Sequence, residues 1–291
     1  MPHTASLRAR NLAFWTQTAP GWIRHADRHD HLGRPLGRPA MDWLRPRAGE
    51  RILDVGCGCG GTTAALAEAV APTGQAVGVD LAESMVAAAR RRFPLDRHPG
   101  LRFVAADIET VGVVPGAPFD AVFSRMALML LADPVDGCIA IRRSLRPGAR
   151  LAATVFRDGT ANPWLAMAVL GAAPHLDALP PLPLGEEPGP FAFAQPARIE
   201  RILTAAGFEG ITIQPPDVTL EVPDEPDTVA EWLIEMGPAS AAYRAAPPAR
   251  QAAARSATAG LLARFGAPGG DSGVTYRLPA GLWLITATTP K

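Results

Sequence analysis

The 291 residues are 48% hydrophobic and carry 28 basic against 28 acidic side chains. That is enough apolar material for a sizeable core, which argues against disorder, and the charge balance excludes a global field that would draw nucleic acid or an anionic membrane. No run approaches the ~20 apolar residues of a membrane span, and the opening MPHTASLRARNLAFW lacks the apolar stretch of a secretion signal. Three cysteines, Cys57, Cys59 and Cys138, suit a reducing compartment and give no disulfide framework, so a cytoplasmic protein is expected.

In chain order, residues 1–45 hold Trp15, Trp22 and Trp43 together with His3, His25, His29 and His31. They are expected to form an amphipathic helical leader. Ile52, Leu53 and Val55 then make a short apolar run suited to a buried parallel strand. Glycines follow at 56, 58, 60 and 61 before Leu66, Ala69 and Val70 resume at helical spacing. This reads as strand, tight turn, helix. Glycine admits the positive φ of an abrupt turn and lets a ligand approach the backbone, while the amides that open the following helix are free to bind its polar groups. Cys57 and Cys59, one residue apart with no nearby cysteine or histidine partner, make a poor zinc site, and no metal is expected. A nucleotide-type cofactor is the natural occupant.

Gln75 to Asp80 is a second buried strand, ending in an acid 24 positions after Gly56. A carboxylate there suits both ribose hydroxyls of a nucleotide. Ser84 is the expected cap of the helix carrying Met85, Val86, Ala89 and Phe93. Leu101 to Asp107 is the third strand and Phe119 to Arg125 the fourth. Asp133-Pro134 with Asp136 is a helix start, the helix is expected to stop near Arg146-Pro147-Gly148, and Leu151 to Phe156 is the fifth strand. Ala197 to Ala206 reads as a helix, Phe208 to Val222 as the sixth strand and Gly281 to Thr288 as the seventh. Between them lie two long additions at 158–195 and 223–278, mainly helical and alanine-rich, read as a cap over the carboxyl edge of the sheet. The organisation expected is a helical lid segment over 1–45, a cofactor-binding core over 46–157 continued at 196–222 and 279–291, and cap insertions over 158–195 and 223–278.

Two ligand patterns overlap in the glycine turn. Gly56, Gly58 and Gly61 satisfy the dinucleotide pattern G-x-G-x-x-G. Asp54, Gly56, Gly58 and Gly60 satisfy D-x-G-x-G-x-G, which resembles the first motif of class I S-adenosylmethionine-dependent methyltransferases. Asp54 separates them, because a pyrophosphate repels an adjacent carboxylate whereas the cationic methionine end of S-adenosylmethionine attracts one. LDVGCGCG, VGVDLAESM, the AAD turn, FDAVFSR and SLRPGARLAATVF stand in that family's order and approximate spacing over residues 10–157. The run Ala19-Pro20-Gly21-Trp22 through Asp27 resembles the leader of the ubiquinone/menaquinone-biosynthesis type.

The resemblance implies a Rossmann-like seven-stranded α/β sheet whose last strand inserts antiparallel between the fifth and sixth. It also implies a cofactor site formed by Trp22, Asp54, Gly56, Cys57, Gly58, Asp80, Leu81, Met85, Asp107, Ile108 and Ser124. Asp107 and Ile108 match the adenine-contacting pair, and Trp22 the aromatic residue over the methionine part, where a ring face favours a sulfonium. The acceptor then faces Arg125, Met126, Met129 and Phe191. The stretch Met126-Ala127-Leu128-Met129 departs from the N-P-P-Y of nucleic-acid and protein amino-methyltransferases, so a small-molecule acceptor is implied, apolar or aromatic as in quinone or secondary-metabolite pathways. His25, His29 and His31 are candidates for a general base, and no catalytic residue is assigned. Two other functions stay open at this level: a nicotinamide-dependent oxidoreductase, although Tyr243 and Tyr276 stand in no Y-x-x-x-K arrangement, and a non-catalytic cofactor-binding partner subunit. The oligomeric state is open, with a homodimer allowed.

Overall fold

The computed structural model describes residues 2–180, 182–183, 185–269 and 273–291. Three helices precede the first strand: α1 (Pro2–Arg24), α2 (Ala26–Leu32) and α3 (Arg34–Leu44). Pro35 suits the first turn of α3 because its missing N–H has no partner there in any case. Leu36, Ala40 and Leu44 recur at helical spacing and are buried where α3 meets the sheet.

Strands and helices then alternate through β1 (Arg51–Val55), α4 (Gly61–Val70), β2 (Gln75–Asp80), α5 (Glu83–Arg92), β3 (Leu101–Ala105), β4 (Phe119–Arg125), α6 (Pro134–Arg143) and β5 (Leu145–Phe156). These five strands pair in parallel, in the order β3-β2-β1-β4-β5. Each is an apolar run because helices cover both faces, and Ile52, Leu53, Phe119, Phe123 and Leu151 are almost wholly enclosed. The strand order reverses between β1 and β4. That switch point opens a crevice at the carboxyl ends of the strands.

The second half comprises α7 (Pro163–Ala172), α8 (Pro196–Ala205), β6 (Glu209–Gln214), β7 (Asp217–Val222), α9 (Pro226–Met236), α10 (Ser240–Ala245), α11 (Pro248–Leu262), β8 (Gly266–Pro268) and β9 (Val274–Thr288). β9 lies antiparallel between β5 and β6, as the resemblance implied. Its earlier half leaves that sheet region and pairs with β7 and β8 instead. The last strand is therefore longer than expected and runs continuously from the 223–278 segment into the core.

Three local expectations need correction. The sixth strand is two strands, because Pro215 and Pro216 donate no N–H and interrupt the ladder. Ser84 does not cap α5: the helix opens at Glu83 after Ala82, and Asp80 Oδ1 accepts the Ala82 amide at 2.9 Å. α6 stops at Arg143, and Arg146-Pro147-Gly148 falls inside β5, where Gly148 takes φ +72°. The start of α6 is as read, with Asp133 Oδ1 accepting the Asp136 amide at 3.1 Å.

The helical leader crosses the carboxyl edge and is tied down at several points. Glu109 accepts from Arg8 Nε at 2.9 Å, and Asn11 Nδ2 donates to the Leu130 carbonyl at 2.8 Å. At the other end the wholly buried Glu235 of α9 accepts from Arg24 Nη1 at 2.8 Å and meets His25 Nε2 at 2.7 Å. A Cβ added at Gly21 would stand 2.3 Å from the Glu235 carbonyl oxygen, so α1 and α9 touch backbone to backbone there.

Candidate active site

The crevice above β1 and β4 is a cavity of about 1080 Å³. Its floor is the turn from β1 to α4. Gly56 takes φ +75°, and a Cβ there would lie 2.2 Å from that of Ala127, so this glycine is required by packing between the two loops. Gly58 takes φ +53° and has nothing within 4 Å of an added Cβ. Its open side belongs to the cavity, so both the positive φ and the ligand space beside it favour a residue without a side chain.

Acids stand at successive strand ends beside this turn. Asp80 Oδ2 accepts the Gly58 amide at 2.9 Å while Oδ1 holds Ala82, so its carboxylate pins the glycine loop as well as facing the cavity. Burial raises its pKa, and its bonds to backbone amides oppose the rise. Asp54 lies deeper and accepts from Thr63 Oγ1 at 2.7 Å. Burial pushes it up to about 6, against the Thr63 bond and the Arg125 charge. Asp107 accepts the Glu109 amide through Oδ1 at 2.9 Å and also faces the cavity, as do Leu81, Met85 and Ile108. Cys57 lines it with its thiol driven well up by burial, and burial takes the neighbouring Cys59 to about 11; both stay protonated and behave as small apolar groups.

Trp22 overhangs the glycine loop from α1. Its ring meets Trp15 edge-on at 5.8 Å and His29 at 4.6 Å, and its enclosed Nε1 has no partner among the described residues. Ser124 is placed differently from the rest of the set. Its buried hydroxyl donates to the Val55 carbonyl at 3.0 Å and forms no part of the cavity wall.

The far side of the cavity carries Arg125, Met126, Met129 and Phe191. Met126 takes φ +57° and is held there by donating its amide to the Thr154 carbonyl at 2.9 Å, a strained backbone just where β4 hands over to the next loop. Much of the remaining wall is apolar: Phe14, Leu36, Phe156, Trp164 and Trp232 come from five separate segments. The three histidines part company. His25 is spent on Glu235, exposed His31 is outside the cavity, and His29 lines it. Burial holds the His29 imidazole well below its usual range, with the charges of Arg125 and His25 adding to the effect. No local pattern distinguishes His29 from the other two histidines or marks Asp30, Trp164 and Trp232 as cavity residues, because all four are brought to the wall by packing between distant segments.

Comparison with known proteins follows the same lines. A family model described as a methyltransferase domain matches residues 52–148. Aklanonic acid methyltransferase DauC of Streptomyces sp. (strain C5) is 33% identical over 150 residues, covering 50% of this chain and 68% of the relative. Nocamycin O-methyltransferase of Saccharothrix syringae is 30% identical over 211 residues, covering 70% and 75%. The chain spans 31% of the length of an uncharacterized 37.1 kDa protein of Streptomyces fradiae, to which it is 39% identical over 111 residues. Among solved structures, phosphoethanolamine N-methyltransferase 2 of Haemonchus contortus in complex with S-adenosyl-L-methionine shares the fold, with a TM-score of 0.51 at 20% identity over 88% of this chain and 52% of that one.

Proposed function

Because the chain belongs to the class I S-adenosylmethionine-dependent methyltransferases, we propose that it methylates a small apolar or aromatic molecule bound in the outer half of this cavity. One observation carries the reading. The wall of Asp54, Gly58, Asp80 and Asp107 opens into a space of about 1080 Å³, above the ~300–1,000 Å³ typical of a site for one small ligand. There is room for a cofactor and a second molecule.

The residues present fit the cofactor. Gly58 offers open backbone, Asp80 a carboxylate for ribose hydroxyls, Asp107 and Ile108 an acceptor and an apolar cover for adenine, and Trp22 an aromatic face for the methionine end. Cys57, Leu81 and Met85 complete that wall, while Ser124 supports β1 from within the sheet. When bound, the cofactor supplies a methyl group on a cationic sulfur. The chain's own contribution is orientation: Met126, Met129 and Phe191 hold the acceptor, and helices from 1–45, 158–195 and 223–278 act as a lid and cap that shut out water. The relatives named for aklanonic acid and nocamycin support a small-molecule acceptor of the secondary-metabolite kind, and the balanced charge supports a protein that binds no nucleic acid. A cytoplasmic location fits the cysteine content. Among the described residues no helix is long and apolar enough to cross a membrane.

Calorimetric titration with S-adenosylhomocysteine and, separately, NADH tests the cofactor. Binding of the first alone is expected; binding of NADH alone would replace this reading with the oxidoreductase. Incubation with methyl-labelled cofactor and a panel of polycyclic aromatic acceptors, read by mass spectrometry, tests the transfer, and binding without any labelled product would favour the non-catalytic subunit.

A further inference from the structure

Arg125 ends β4 with its guanidinium on the cavity wall, its side chain only 14% exposed. Space for it is built into the leader. The stem crosses Gly37, where an added Cβ would come 3.0 Å from Cδ, and the head passes Gly33, whose carbonyl accepts from Nη1 at 3.2 Å. Among the described residues this is its one hydrogen bond. The Asp30 carboxylate stands 3.8 Å from Nη2, beyond hydrogen-bond reach, and its other oxygen already accepts from Arg92 at 2.6 Å. Of the other arginines of the cavity wall, Arg10 and Arg198 each meet a glutamate, Glu187 and Glu186, within hydrogen-bond distance, although the buried Nε of Arg198 also has no partner among the described residues.

A largely enclosed guanidinium whose remaining donors have no protein partner among the described residues and face the cavity is placed to receive an anion. Building on the methyltransferase reading, we infer that Arg125 is the specificity-determining residue for the acceptor, and that the acceptor is an oxygen acid: a carboxylate carried on an apolar body. The apolar walls receive the body and the planar fork receives the two oxygens. The cofactor's own carboxylate is the competing anion. Asp30 stands against it, since its carboxylate lies between Arg125 and the amino end of α4, so close to Gly61 that an added Cβ there would come within 2.1 Å of it. An anion arriving from the glycine loop would meet that negative charge first. Burial lowers the Arg125 pKa in this setting, with Asp30 and Asp54 only partly restoring it, which is the direction expected of a cation short of a partner.

The test uses the full chain saturated with S-adenosylhomocysteine and titrated with anthraquinone-2-carboxylate and its primary amide, two probes of near-equal shape that differ in charge. The wild type is expected to prefer the acid by about tenfold or more, Arg125→Gln to bring the two within about twofold without altering S-adenosylhomocysteine affinity, and Arg125→Lys to fall between. Equal treatment of acid and amide by the wild type, including binding neither, would overturn the inference. So would an Arg125→Gln protein that keeps the preference, or one that keeps it while losing cofactor affinity, which would give the guanidinium to the cofactor. Should Arg125→Gln not fold, Arg125→Met, which keeps an apolar stem along Gly37 and removes the charge, takes its place and is expected to abolish the preference; a folded Arg125→Met protein that keeps the preference counts against the inference. A wild type that binds no S-adenosylhomocysteine fails the methyltransferase reading itself, whereas one that binds it and ignores probe charge fails only this step.

Discussion

The inner and outer halves of the cavity are assembled over different distances along the chain. At the glycine loop the decisive contacts are local: Asp54 and Thr63 are 9 residues apart, and Asp80 and Gly58 are 22 apart. At the outer side the ties run from Arg8 to Glu109 and from His25 to Glu235, 101 and 210 residues apart. The inner half is also polar and self-bonded, while the outer half is mainly apolar and holds Arg125, most of whose donors have no protein partner among the described residues. A strand-turn-helix unit can hold a common cofactor with little outside help. An acceptor site, which must fit one molecule among many, is made from segments free to vary separately.

If that division is right, changes to the inner half should act on S-adenosylhomocysteine binding and changes to the outer half on acceptor binding alone. The largest effect is expected from Gly58→Val. Its Cβ would enter ligand space with no protein atom within 4 Å, so calorimetry should detect at least a 100-fold loss of affinity, roughly 3 kcal/mol or more, in a protein that still folds despite the strain of a branched residue at φ +53°. Near-normal affinity in the folded variant would move the cofactor elsewhere.

Asp54→Asn probes a conflict between stability and function. The folded carboxyl titrates at about 6 against an ordinary value of 3.8. Between those values the native state holds a proton the unfolded chain has released, so stability falls as pH rises through this window. The asparagine keeps an acceptor for Thr63 and removes the charge. Apo stability at pH 7.5 is expected to rise by up to about 3 kcal/mol, the gain vanishing near pH 4, while cofactor affinity falls. Denaturant unfolding at the two pH values checks the sign, and an asparagine variant less stable at pH 7.5 would refute it.

Asp80→Ala should cost about 1.5–3 kcal/mol of S-adenosylhomocysteine binding, since it removes a charged acceptor and frees the Gly58 and Ala82 amides. Raised hydrogen exchange at those two amides would accompany the loss. Trp22→Ala is expected to weaken S-adenosylmethionine, whose sulfur is cationic, by about 1 kcal/mol through loss of a ring face beside the sulfonium, and S-adenosylhomocysteine, a neutral thioether, by less; a large drop in apo melting temperature with unchanged affinity would instead make Trp22 part of the packing with Trp15 and His29. The smallest effect belongs to the outer half. Phe191→Ala should leave S-adenosylhomocysteine affinity within about twofold and alter only what the cavity accepts, and a larger change would show that the two halves are not separable.

From the sequence alone, the alternation of apolar strands and amphipathic helices determined the parallel half of the sheet, and the glycines and acids at strand ends determined the inner wall, because those features depend on neighbours within a turn or two. The tertiary structure decided the rest. It turned Ser124 onto the Val55 carbonyl and Arg125 onto the cavity, a choice made by which neighbours surround the end of β4. It brought His29, Asp30 and Trp232 to one chamber and set Glu235 beneath α1. Such meetings follow from how distant helices pack around a shared core, and packing is a property of many residues at once that no local pattern encodes.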